Sequence, residues 1–272
     1  MKTSFSTLAC PDWSLPEVLG AAANYGYDGV ELRVISRELD LWKLPEFQLS
    51  ALAGTRSLIE DHGLVIASIG SGACFHSPDA QERERNLDSA LRMAEIAAGL
   101  GAPAIRVFGD RIQLGNKRNQ TVTWIVDSLT QLADKLKSDG VQVWLETHGD
   151  FAAAVDVGEV LDQLNNAEVG IIWDPANIFG QTGETPTISP TMSSRVRHVH
   201  LKDLVRDVQG AFHYVPTGEG EFPFDTVFAS LAEIGFDGFA SFEWEKLWHP
   251  ELASPEIALP HFIRWWKIRE EV

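Results

Sequence analysis

At 272 residues with 44% hydrophobic content, the chain is long enough for one sizeable core and is neither disordered nor fibrous in composition. A formal net charge of −17 would repel a phosphate backbone or an anionic membrane over most of the surface, so neither nucleic acid nor membrane is an expected partner. Only Cys10 and Cys74 are present, which excludes a disulfide framework or a thiolate cluster; with no long apolar run near Met1, a cytoplasmic location is expected.

Taken in order, short apolar runs alternate with longer amphipathic ones, the βαβα pattern of a parallel sheet. Strands are expected at 3–8, 29–34, 65–69, 104–108, 141–145, 169–173, 196–201 and 238–242, eight in all, the number that closes a barrel. Most are β-branched or aromatic without strict alternation, as in strands covered on both sides. The first helix should start after Ser14, where Leu15-Pro16 and Glu17 make a capping-box pattern, and run to about Tyr25. Further helices are expected at 46–62 (with Gly63 as its stop), 79–100, 118–137, 155–164 and 224–234, and a closing helix at 260–268. The punctuation Gly26-Tyr27-Asp28-Gly29 returns as Gly235-Phe236-Asp237-Gly238, which suggests one αβ turn used twice. The least regular stretches, 180–191 and 207–223, follow strands and so fall on the C-terminal face of a barrel. No linker divides the chain, so residues 1–272 are expected to form a single (β/α)₈ barrel domain.

Polar residues fall where such a barrel keeps its chemistry. The fifth strand ends at Glu146, the sixth at Asp174, the seventh carries His200 and the eighth ends at Glu243. Strand tips are neighbours on one rim, so four residues distant in sequence can converge. Three crowded carboxylates repel unless protonated or neutralised. A divalent cation does this while accepting an imidazole, and an O₃N set suits Mn²⁺, Mg²⁺ or Co²⁺, with Zn²⁺ also able to bind. Separately, each is a rim ion-pair residue; on four successive strand ends they read as metal ligands.

Several pieces resemble the xylose-isomerase-like TIM barrel family of sugar isomerases and epimerases: Gly26 to Glu31, Ile105-Arg106-Val107, Leu145-Glu146, Trp173-Asp174, His198 to Asp203, and Ser241-Phe242-Glu243. The resemblance implies that Glu146, Asp174, His200 and Glu243 hold the metal and that Glu146 and Glu243 are also the catalytic proton-transfer pair. It further suggests substrate contacts. The ketose 3-epimerase branch has a histidine three residues after the metal-binding aspartate, where this chain has Asn177, and an arginine six residues after the metal-binding histidine, which Arg206 matches. With Asn177 in that place, the chain resembles the broader part of the family, which includes dehydratases of inosose-type substrates and hydroxypyruvate isomerases.

The remaining polar residues stay open. Arg106 either binds substrate or orients Glu146, against a plain ion pair with a neighbouring strand; His148 and Lys202 either touch substrate or ligands, or are structural. Asp203 either supports a second metal or orients His200 or Lys202. Glu245 is the runner-up fourth ligand, ahead of His249; Glu219 shapes its loop, and His76 lies near the ligand or faces solvent. Trp13, Trp144, Trp173, Trp244 and Trp248 lie near strand ends, as a sugar-stacking rim or as core, and Trp265-Trp266 suits packing or a subunit contact. No Gly-x-Gly-x-x-Gly, P-loop, His-Glu-x-x-His or Gly-x-Ser-x-Gly pattern occurs.

The expected function is proton abstraction next to a carbonyl of a small polyhydroxylated substrate, with a metal-stabilised enediolate, giving isomerisation or epimerisation. Each glutamate would give one oxygen to the metal and the other to the proton. Loss of a β-hydroxyl instead would make the chain a dehydratase of an inosose-like keto-polyol. A non-catalytic carbohydrate-binding barrel is the third reading, and endonucleolytic cleavage is opposed by the charge. A homodimer is compatible with this surface.

Overall fold

The computed structural model describes residues 1–164 and 168–270. Eight parallel strands close a barrel in the order β1 (Lys2–Ser6), β10 (Phe239–Phe242), β7 (Val196–Leu201), β6 (Val169–Trp173), β5 (Gln142–Glu146), β4 (Ala104–Phe108), β3 (Val65–Cys74) and β2 (Gly29–Leu32). The eight expected strands are therefore the eight staves, with ends moved by a residue or two, except β3. That strand runs to Cys74 through an irregular pairing between Gly70 and Cys74, where the sequence suggested a loop.

Helices α1 (Leu15–Tyr25), α2 (Leu52–Asp61), α3 (Ala80–Leu100), α4 (Arg118–Leu136), α5 (Ala154–Leu161), α8 (Phe224–Glu233) and α9 (Pro255–Glu270) lie outside the barrel staves in chain order, with the short α6 (Pro175–Thr182) and α7 (Pro190–Ser193) between β6 and β7. Ser14 and Glu17 form the expected capping box on α1, and Asp79 caps α3 by accepting from the Gln81 N–H at 2.9 Å. The segment expected as one helix over 46–62 begins instead as a 3₁₀ turn, Pro45–Phe47, and α2 starts only at Leu52. The repeated αβ turn is real: Gly26 and Gly235 both stand at positive φ, +86° and +65°, where a Cβ would be strained.

The main core fills the layer between staves and helices, with Leu19, Ile69, Leu129, Leu145 and Trp173 buried in it. Trp144, Ala104 and Ile172 form a separate small cluster. Trp144, Trp173 and Trp244 are buried, so the core reading holds for them; Trp248 is exposed. Trp265 and Trp266 pack on the aromatic group around Phe224, Phe228 and Phe262. After β7 the chain makes an antiparallel hairpin, β8 (Asp203–Arg206) with β9 (Phe212–Val215), of which β9 falls in the stretch 207–223 expected to be irregular. No described helix is long and apolar enough to cross a membrane.

Candidate metal-binding and catalytic centre

Each of the four rim residues is delivered by its own local structure. Glu146 closes β5 and Glu243 follows β10, where its N–H donates to the Leu201 carbonyl of β7 at 3.0 Å. His200 lies within β7, in register with Ser241. Asp174 caps α6: its Oδ1 accepts from the Ala176 and Asn177 N–H groups at 3.0 and 3.1 Å, which turns Oδ2 toward the barrel axis. Its own N–H is fixed by Thr147 Oγ1 at 2.8 Å.

The result is a buried cluster. Exposures are 2%, 0%, 0% and 3% for Glu146, Asp174, His200 and Glu243, and one ligand atom from each lies within 4.8 Å of the others. His200 Nδ1 is 3.3 Å from Glu243 Oε1, 3.7 Å from Asp174 Oδ2 and 3.8 Å from Glu146 Oε1. Two of these atoms, Asp174 Oδ2 and His200 Nδ1, are enclosed and receive or give no hydrogen bond, although Lys202 Nζ stands 2.8 Å from the carboxylate oxygen. Enclosed polar atoms are nearly always satisfied, so His200 Nδ1 facing three carboxylates without a hydrogen bond fits a cation ligand.

The far side of His200 is held by a residue that the sequence did not single out. Glu31 at the end of β2 accepts through one oxygen from both His198 Nε2 at 2.8 Å and His200 Nε2 at 2.9 Å. It sits at the register shift between β2 and β3, a bulge that re-aims the strand end. Burial alone would raise its pKa, but the two imidazoles outweigh that and keep it well below the usual carboxylate range. The same carboxylate, with Glu243 and Glu146, lifts His200 well above the ordinary imidazole value against the opposing effect of burial. The signal available in the sequence was a carboxylate alone in an apolar strand, Gly29-Val30-Glu31-Leu32.

Two cations brace the glutamates. Arg106 Nη1 donates to Glu146 Oε2 at 2.5 Å, and Lys202 Nζ donates to Glu243 Oε2 at 2.6 Å and Glu245 Oε1 at 2.7 Å. Lys202 is 1% exposed; burial disfavours its charge, yet Asp174, Glu243 and Glu245 together raise its pKa well above normal. Burial pushes the Glu243 carboxyl up to about 7 against His200 and Lys202, whereas Asp174 is lowered because Lys202 and His200 outweigh its burial. Oε2 of each glutamate thus accepts from a cation and keeps its second lone pair, while Oε1 of each faces His200 Nδ1.

Other expected contacts sort clearly. Asn177 Nδ2 reaches Glu146 Oε1 at 3.5 Å and the Thr147 carbonyl at 3.0 Å, placing it beside the centre. His148 turns its Nδ1 to Asp110 Oδ1 at 3.1 Å, with its ring against Phe108. Arg206 is exposed on the hairpin, its guanidinium over the Phe212 ring, and among the described residues it has no hydrogen bond or ion pair to the four. Asp203 orients neither His200 nor Lys202: it accepts from the N–H groups of Leu204, Gly218, Gly220 and Phe222 and so clamps the loop containing Glu219. Glu245 accepts from Lys202 and from Tyr214 Oη and so lies one step outside the four. His76 is 8% exposed with an unsatisfied Nδ1 3.8 Å from Asp110 Oδ2, and Cys74 is the third member of that group.

An eight-stranded parallel barrel with a buried carboxylate–imidazole centre at the C-terminal rim is an enzyme architecture. The chain belongs to the xylose isomerase-like TIM barrel family, which it matches over residues 19–267. It is 23% identical over 260 residues to an L-ribulose-5-phosphate 3-epimerase of Salmonella paratyphi C, covering 93% of this chain and 89% of the relative. To inosose dehydratase 1 of Bacillus cereus it is 28% identical over 154 residues, about half the length of each. Among solved structures, the IolI protein with a bound zinc atom superposes with a TM-score of 0.79 at 19% identity, covering 96% of this chain and 95% of the other.

Proposed function

We propose that this chain is a divalent-metal-dependent isomerase or epimerase of a small sugar or keto-polyol. The observation that carries the reading is the convergence of Glu146, Asp174, His200 and Glu243 on one buried point, with His200 Nδ1 facing the three carboxylates and making no hydrogen bond. Three carboxylates and an imidazole would hold Mn²⁺, Mg²⁺ or Co²⁺, and Zn²⁺ also fits. Bound there, the ion supplies polarisation of a carbonyl and offsets the charge of the acids.

The protein's own groups do the rest. Glu146, braced by Arg106, and Glu243, braced by Lys202, are the proton-transfer pair, one removing the proton beside the carbonyl and the other returning it. Asn177 and His148 flank Glu146 as substrate contacts, and Lys202 is close enough to Asp174 and Glu243 to share in the same site. Return of the proton to the opposite face gives an epimer, and return to the neighbouring carbon gives an aldose–ketose pair. Loss of a β-hydroxyl gives dehydration, the second reading, which the 28% identical stretch shared with inosose dehydratase favours. The free Cys10 and Cys74 accord with a reducing, cytoplasmic setting.

The test is deuterium uptake in D₂O across ketoses, keto-polyols and hydroxypyruvate, followed by NMR with Mn²⁺-reconstituted protein. Exchange beside a carbonyl should fall by about 10²–10⁴-fold in Glu146→Gln and in Glu243→Gln. It should also vanish on chelation, and the product formed separates epimer, isomer and dehydrated keto-polyol. Exchange that persists in both variants and in the chelated protein would sink the proposal.

A further inference from the structure

We infer that Arg33 forms an anion-binding subsite at the barrel mouth and that the physiological substrate carries an oxyanion substituent, a carboxylate or a phosphate. The inference rests on the enolisation reading for the rest of the substrate and adds the group that the second end of the site recognises.

Arg33 lies in the bend directly after β2, two residues beyond Glu31, with its side chain against Gly70 and Gly72 of β3. It is 8% exposed, yet its guanidinium has no hydrogen bond, ion pair or ring contact among the described residues; only its backbone N–H is held, by Thr7 Oγ1 at 2.8 Å. A largely buried arginine normally has a counter-ion, because taking its charge out of water is unfavourable unless it is paired. Its environment makes this worse. Burial and the neighbouring Arg106 charge pull its pKa down to about 10, and Glu146, Asp40 and Glu31 offset this only in part.

The strand beneath is cut to house both arginines. A Cβ on Gly70 would meet Arg33 Cδ at 2.8 Å and Arg106 Nη2 at 2.9 Å, and one on Gly72 would meet Arg33 Nη2 at 3.3 Å. Gly70 and Arg106 are partners in the β3–β4 ladder, and the ladder is interrupted from there to Cys74, at the rim. The two arginine side chains thus lie together over Gly70, with Arg33 reaching on to Gly72. One is paired with Glu146, and the other makes no direct hydrogen bond or ion pair among the described residues. The paired one leads directly to a proposed catalytic carboxylate, so an anion on Arg33 would sit one side chain away from the reacting centre. A free guanidinium fork matches a carboxylate or phosphate in two-point geometry, which an uncharged polyol cannot supply.

The experiment is calorimetric titration of the protein, with and without Mn²⁺, by sodium malonate and by inorganic phosphate at constant ionic strength. The same titrations are run on Arg33→Met and Arg33→Lys, alongside thermal denaturation. Arg33→Met should weaken binding of the preferred anion about 10–100-fold, with Arg33→Lys intermediate, and whichever probe binds tighter identifies carboxylate or phosphate. Because the unliganded charge lacks a partner, Arg33→Met should also match or exceed the native Tm. Equal anion binding in Arg33→Met, or a lower Tm in both variants, overturns the inference. Titration needs no turnover, so the two readings fail separately. Deuterium exchange on neutral ketoses without Arg33-dependent anion binding removes only the subsite; the reverse removes only the enolisation chemistry.

Discussion

Replacing Glu31 by glutamine tests the centre through a residue that touches neither the converging ligand atoms nor the proposed substrate. One oxygen of Glu31 serves both His198 Nε2 and His200 Nε2, and the side chain is 1% exposed. That arrangement holds a proton on His200 Nε2 and directs Nδ1 at Glu146, Asp174 and Glu243. Glutamine keeps the volume but loses the charge, and its amide nitrogen can only donate. A hydrogen bond to a charged group is worth about 1.5–3 kcal/mol, and a neutral amide retains part of that, so two weakened bonds should cost roughly 2–3 kcal/mol. At about 2–4 °C per kcal/mol for a domain approaching this size, Tm should fall by roughly 4–12 °C. Loss of the orienting partner should weaken metal binding by about 10–100-fold, read by competition between the protein and a chelator for Mn²⁺ or Zn²⁺. An unchanged metal Kd with a lowered Tm would mean that Glu31 only fills the barrel. If neither quantity moved, the assigned hydrogen bonds would carry no weight.

The Asp110–His148 pair predicts a pH window. The His148 hydrogen bond and Arg111 hold Asp110 at about 2 against burial, so its stabilisation is present above the ordinary value of 3.8 and lost as pH falls toward 2. Burial opposes the His148 charge, but Asp110 and Glu146 raise its pKa above 6.5, so that part is present below 6.5 and lost as pH rises through the folded value. The Tm gap between native protein and Asp110→Asn should therefore be widest between about pH 4 and 6.5; a gap independent of pH would contradict the pairing. Asparagine tolerates the positive φ of 67° at this position, so the comparison isolates charge. Gly149→Ala should destabilise by about 1–3 kcal/mol in thermal denaturation, because φ is +58° and the added Cβ would strike the Asp110 carbonyl. Gly140→Ala, at φ +69° with open space around it, is the control and should cost less. Equal losses at the two sites would refute the steric part.

The amino-acid sequence by itself determined the eight-stave barrel and the four rim residues. Apolar periodicity marks strands and helices locally, and in a parallel barrel every strand has its C-terminal end on one face, so Glu146, Asp174, His200 and Glu243 had to share a rim once the strands were counted. What lies across the barrel was decided only by register and closure. Glu31 meets His198 and His200 from 167 and 169 residues away, and nothing in its own strand names those partners. Arg206 matched a family position, yet the β8–β9 hairpin carries it outward to Phe212, because local hairpin pairing fixes its direction. Asp203 looked like site chemistry beside Lys202, but its oxygens close a loop whose N–H groups had to be satisfied somewhere. The short glycine-rich run after the third expected strand read as a loop; as an extension of β3 it is the floor beneath Arg33 and Arg106. One-dimensional patterns give the face on which a side chain stands, and only the closed barrel gives what stands opposite.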